Sequence, residues 1–224
     1  MEIDVLPVGP PSNDRDSGST TVVGALADHW ATLLPEEQAS FSGVSAHRRL
    51  ELSTTRFLAR RAMAARGLLP APVLRAADRS PQWPAGVRGS LTHSRELVAA
   101  SVSTGLLGLG IDLEHLGRLS EGGTARILTS TEAAWLAALP TADRHTRATL
   151  VFSAKEAVYK AIYPTAGVYV GYREVEVVVD PTCWSFTARY VGDNSLNRPI
   201  GRGRGVWWHL GDAILTRFEI EGES

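Results

Sequence analysis

Apolar residues recur at helical spacing in some stretches of the chain and alternate in others. Between Pro35 and Gly67, Leu50, Phe57, Leu58 and Met63 predict a helical stretch, with Gly67 as its C-terminal stop. Ser130 or Thr131 can cap a shorter helix through Leu139, ended by Pro140. The longest helical pattern runs from Thr146 to Tyr163, carried by Leu150, Val151, Ala154, Val158, Ala161 and Ile162, and Pro164 is expected to stop it. Leu97–Ser103 and Leu106–Leu113 read as two strands of a hairpin joined near Ser103–Gly105. Beyond Pro164 the pattern is β-rich. Tyr172–Val179 sets Val175, Val177 and Val179 on one face, and 184–191, 206–210 and 213–220 are further strands. Segments 76–89 and 116–124 read as loops, and 1–20 as a loop or mobile tail. Gly201–Gly205 (GRGRG) lacks a strand–GxGxxG–helix context and reads as a hairpin turn.

Helices, a hairpin, more helices and more strands, in that order, predict an α+β fold. It would comprise two similar α/β lobes, each with a small, mostly antiparallel sheet packed by helices. The expected division is 21–110 for the N-terminal lobe and 111–224 for the C-terminal lobe.

Composition narrows the function. A chain of 224 residues with 44% hydrophobic content can bury a core without a disulfide or metal staple. A net charge of −1 argues against a general nucleic-acid binder. Cys183 is the single cysteine, which excludes an intrachain disulfide and a thiolate zinc cage. The N-terminus lacks a signal-peptide pattern, and no apolar run reaches the ~18 residues of a membrane span. A soluble, cytoplasmic protein with no membrane partner is expected. Of the 23 basic residues, 21 are arginine; the two lysines, Lys155 and Lys160, lie in one predicted helix. Coding bias accounts for the arginines but not for where the lysines sit.

Four groups of residues carry candidate chemistry. Asp112 and Glu114, at i and i+2 of a strand, project to one face and suit a hard cation such as Mg²⁺, although a strand end can simply turn polar. Glu156 and Lys160 are i,i+4 neighbours; a surface ion pair would tolerate arginine, whereas a site needing a compact ammonium would not. Ser90, Thr92 and His93 form a hydroxyl-flanked histidine segment in a predicted loop, a structural position or a phosphate corner. Arg48, Arg49, Arg56, Arg60 and Arg61 on the first helix, with Arg75 and Arg79 beyond it, could fork onto phosphate oxygens or form a solvated face.

GSLTHS (89–94), GIDLE (110–114) and FSAKEAVYKA (152–161), in this order and spacing, resemble the 4′-phosphopantetheinyl transferases. The resemblance is to the long, monomeric type that primes polyketide, nonribosomal-peptide and siderophore synthases. Residues 47–62 and 80–90 look like its enterobactin-synthase-activating branch.

The resemblance implies two lobes related by a pseudo-two-fold, with coenzyme A as co-substrate and Mg²⁺, or Mn²⁺ in its place, in the cleft between them. A serine of an acyl or peptidyl carrier protein would attack the β-phosphate of coenzyme A and release adenosine 3′,5′-bisphosphate. It assigns Asp112, Glu114 and Glu156 to the metal, Lys155 and Lys160 to phosphates, and Glu156 or a metal-bound water to general-base work. Asp112, Glu156 and Lys160 would be the catalytic set. Arg48, Arg56 and His93 match positions that grip the nucleotide 3′-phosphate, with Arg75, Arg79, Ser90 and Thr92 as further coenzyme A contacts. A nonenzymatic coenzyme A- or nucleotide-binding regulator and a metal-dependent phosphohydrolase are the alternatives.

Overall fold

The computed structural model describes residues 18–192 and 196–222; the expected tail lies outside them up to residue 17. The chain divides into two compact units, the first ending at Leu106 and the second starting at Leu107.

The N-terminal unit is an antiparallel sheet with one long helix against it. Strand β1 (Ser19–Ala25) begins within the segment expected to be a tail, and its β-branched core TTVV suits a pleated surface. Helices α1 (Pro35–Ser40) and α2 (Ala46–Ala65) follow, then the short pair β2 (Leu74–Arg75) and β3 (Pro81–Gln82), then β4 (Arg88–Ser94) and β5 (Leu97–Ser103). Sheet order is β1-β5-β4. Leu58, Ala59, Ala62 and Met63 of α2 pack on Val22, Val98, Ala100 and Val102 of the sheet. The helical stretch from Pro35 is broken because fully buried Phe41 leaves helical geometry to join Leu33 and Leu52 in a small core. Ser45 then restarts it, its side chain accepting from the Arg48 N–H.

The C-terminal unit has a five-stranded sheet in the order β6-β10-β9-β8-β7. Its elements are β6 (Leu106–His115), α3 (Glu121–Ile127), α4 (Ser130–Ala138), α5 (Thr141–Ala166), β7 (Val175–Asp180), β8 (Ser185–Tyr190), α6 (Asn197–Gly201), β9 (Gly203–Leu210) and β10 (Ala213–Glu221). Thr129, one residue before the expected caps, closes a capping box with Glu132 at the start of α4.

Several expectations change. β5 does not form a hairpin with β6: it pairs with β1 and β4, while β6 lies beside β10 in the second sheet. Residues 90–94, expected in a loop, are strand β4. Helix α5 runs through Pro164 for a further half-turn and ends where Gly167 adopts φ 63°. Gly203 and Gly205 are strand residues: a Cβ at Gly205 would lie 2.2 Å from the Phe186 ring, so glycine makes room for an aromatic where a turn was expected.

Glycine also sets the approach of α5 to β6. A Cβ on Gly110 would lie 1.9 Å from the Ala157 carbonyl oxygen, and one on Gly108 2.5 Å from that of Ala161. Backbone therefore meets backbone. Gly108, Gly110, Asp112 and Glu114 share one face of β6, so the strip that admits the helix leads directly into the two carboxylates. Among the described residues no helix is long and apolar enough to cross a membrane.

Candidate functional site

Charged side chains gather in both units. In the N-terminal unit, Arg48, Arg56, Arg75, Arg79, Thr92 and His93 all line a single pocket of about 170 Å³. Three elements supply it. Helix α2 contributes Arg48 and Arg56, the β2–β3 hairpin brings Arg75 and Arg79, and β4 supplies Thr92 and His93. The hairpin is tight, with Arg79 at φ 72° and its N–H bonded to the Ala76 carbonyl.

Arg56 is buried, with Nε donating to the Val73 carbonyl at 3.1 Å, a second nitrogen donating to Thr55 at 3.1 Å, and its plane over Phe41. Burial pulls its pKa down to about 10, so it remains charged at neutral pH. Arg60, its i+4 neighbour, turns elsewhere and bonds buried Glu37 at 2.7 Å. Ser90 is buried in β4 opposite Ser101 and is not among the pocket-lining residues, contrary to expectation.

Glu51 is the pocket's carboxylate. It accepts from Arg48 at 2.7 Å and stands 3.1 Å from His47 and 3.5 Å from His93. Burial opposes its charge, but Arg48 and the two histidines prevail and hold its carboxyl below the ordinary glutamate range.

In the C-terminal unit the balance is reversed. Asp112 and Glu114 are both buried on β6. Lys160 of α5 donates to Asp112 at 2.6 Å and to the Ile111 carbonyl at 3.2 Å. Arg118 donates to Glu114 at 2.6 Å. Tyr172 donates to Glu156, and burial followed by that bond raises the phenol pKa. Burial first, and repulsion from Asp112 second, push the Glu114 carboxyl up to about 7, with Arg118 pulling the other way.

Among the described residues no three acidic, histidine or cysteine side chains stand together as a preassembled metal cage. Asp112, Glu114 and Glu156 nonetheless share one electrostatic neighbourhood, since all three act on the Arg118 guanidinium. Glu114 Oε2 is buried with no hydrogen-bond partner among the described residues. A buried carboxylate oxygen without a donor, beside a second carboxylate, is a donor set that fits a hard cation.

Lys155 departs from expectation. Its Nζ lies inside the unit and donates to the Ile127 carbonyl at 2.8 Å, to Glu132 at 2.6 Å and to the Tyr172 carbonyl at 2.7 Å. An ammonium has three N–H groups, so none is left for a phosphate. Glu132 in turn accepts from the N–H groups of Thr129 and Val177. Lys155 thus fastens α5 to α4, to the end of α3 and to the backbone that carries Tyr172.

Sequence reasoning missed Glu51, Thr55, Arg118 and Tyr172. Glu51 had a local signal, an acid three residues after Arg48 on a helix. Tyr172 had none, because 16 residues and a chain reversal separate it from Glu156.

The chain matches the 4′-phosphopantetheinyl transferase N-terminal domain over residues 36–103 and the 4′-phosphopantetheinyl transferase superfamily over residues 108–198. It is 40% identical to 4′-phosphopantetheinyl transferase Svp of Streptomyces mobaraensis over 199 residues, covering 84% of this chain and 78% of that protein. Identity to 4′-phosphopantetheinyl transferase PptT of Mycobacterium tuberculosis is 33% over 194 residues, covering 83% and 85%. Among solved structures, holo-[acyl-carrier-protein] synthase of Thermotoga maritima aligns at 19% identity with a TM-score of 0.42, over 53% of this chain and 65% of that one.

Proposed function

The chain belongs to the 4′-phosphopantetheinyl transferase superfamily, and on that premise we propose that it moves the phosphopantetheine arm of coenzyme A to a carrier-protein serine in a Mg²⁺-dependent reaction. The observation that carries this reading is the α5–β6 contact, where Lys160 reaches Asp112 across the glycine strip. In the reaction the serine Oγ bonds to the β-phosphorus while the pyrophosphate P–O bond breaks. Adenosine 3′,5′-bisphosphate leaves with the bridging oxygen.

Each residue has a task in that step. Arg48, Arg56, Arg75, Arg79 and His93 hold the 3′-phosphate end of coenzyme A through charge-assisted hydrogen bonds. Lys160 presents a compact ammonium to the charge that builds on the leaving phosphate. Glu156 takes the serine proton, and Tyr172 fixes the orientation of its carboxylate. Asp112, Glu114 and Glu156 would hold the Mg²⁺, which when bound neutralises pyrophosphate charge.

Incubation with coenzyme A, Mg²⁺ and apo acyl or peptidyl carrier proteins tests the reading, with carrier mass as the readout. The expected result is a gain of one phosphopantetheine. Glu156→Gln should cut the rate by at least about 100-fold with the melting temperature preserved. Carriers that gain no mass would overturn the reading; breakdown of coenzyme A without an acceptor would point instead to a phosphohydrolase.

A further inference from the structure

A carboxylate inside a pocket built from arginines needs a reason, because it repels the anion that the arginines attract. Both oxygens of Glu51 face protein donors: Oε2 takes the Arg48 guanidinium, and Oε1 lies toward His47 Nε2 and His93 Nδ1. Arg48 also stands 3.4 Å from His93 Nε2. A guanidinium can only donate, so in the neutral ring Nε2 accepts and Nδ1 carries the proton, pointing at Glu51. Arg48 and His93 come from different elements, α2 and β4. Glu51 is the atom group they share.

We propose that Glu51 is the positioning residue of this pocket: it holds Arg48 and His93 in one constellation that recognises a terminal phosphomonoester, the 3′-phosphate of coenzyme A. The inference rests on the proposed function. Glu51 acts through Arg48 and His93 and does not touch the phosphate. Left without it, the Arg48 guanidinium and the His93 ring lose the acceptor they share and each samples more rotamers, so the pocket loses preorganisation more than it gains attraction.

Calorimetric titration of the full chain with coenzyme A and with 3′-dephospho-coenzyme A tests this, alongside transfer kinetics. The wild type is expected to bind coenzyme A more tightly than the dephospho form. Glu51→Ala should weaken coenzyme A about tenfold, the loss of one charge-assisted contact, and the dephospho form less than twofold. In kinetics KM for coenzyme A should rise by a similar factor while kcat falls less than twofold. Glu51→Gln, nearly isosteric and able to accept from Arg48, should recover about half of the loss on a logarithmic scale; it also serves if the alanine variant fails to fold. Equal weakening of both ligands, or tighter coenzyme A binding by Glu51→Ala, would overturn the positioning role. A wild type that binds both ligands equally would instead remove the pocket's assignment to the 3′-phosphate, and with it that part of the proposed function.

Discussion

The two charged sites are near inversions of each other. The N-terminal pocket is arginine-rich with one carboxylate, Glu51; the C-terminal site is carboxylate-rich with Lys160 and Arg118 set among the acids. In the first, Glu51 alone faces Arg48, His47 and His93; in the second, Lys160 and Arg118 take one carboxylate each, Asp112 and Glu114. Like charges cannot be packed by apolar burial alone, since each must be compensated or left in water. A counter-charge with two or more partners both lowers the repulsion and fixes geometry. The two lysines of α5 show where this organisation ends and scaffolding begins. Lys155 is sealed in the protein with every donor used, whereas the side chain of Lys160 is 28% exposed and reaches a carboxylate of the proposed site.

The strongest test of that contrast is Lys155→Met. It leaves Glu132 buried without its cation and removes the ties to Ile127 and Tyr172, at a cost of about 3–5 kcal/mol. Chemical denaturation should register that loss; unchanged stability would place Lys155 outside the scaffold. Lys160→Arg should do the reverse. A transfer rate lower on the order of 100-fold, with a melting temperature within about 2 °C of wild type, is the expected result. Equal turnover by the arginine variant would reduce Lys160 to an ion pair.

The smallest effect concerns pH. Glu114 titrates higher when folded than when unfolded, so between pH about 4.5 and about 7 the native state binds more protons. Stability should therefore fall as pH rises through that window, by on the order of 1–3 kcal/mol. Glu114→Gln should flatten the slope and raise the melting temperature at pH 8; a slope unaltered by the substitution would show that the carboxyl is not strained by burial.

What could be read in the sequence followed from periodicity and from residues close along the chain. Helix α5 and the carboxylate pair of β6 announced themselves because side chains at i, i+2 and i+4 share a face whatever surrounds them. The arginines of α2 and the hairpin were legible as residue types, but their convergence with His93 came only through the family resemblance and not from periodicity, because three elements separated in sequence must fold to make the pocket. The β5–β6 hairpin failed for a related reason. Strand pattern and a nearby glycine say that two strands follow one another, not that they pair. Lys155 misled because its neighbour Glu156 faces the proposed site, and adjacent residues on a helix do not.

The glycine strip of β6 extends the site's vulnerability to a position with no functional group. One methyl added at Gly110 would meet the Ala157 carbonyl, and relief would have to come from moving α5 as a body. That displacement would lengthen the reach from Lys160 to Asp112 while every charged side chain stayed chemically intact. Loss-of-function mutations in this protein should thus be sought at Gly108 and Gly110 as readily as at the acids, and their defect would show as a slow enzyme with an unaltered list of ionisable groups.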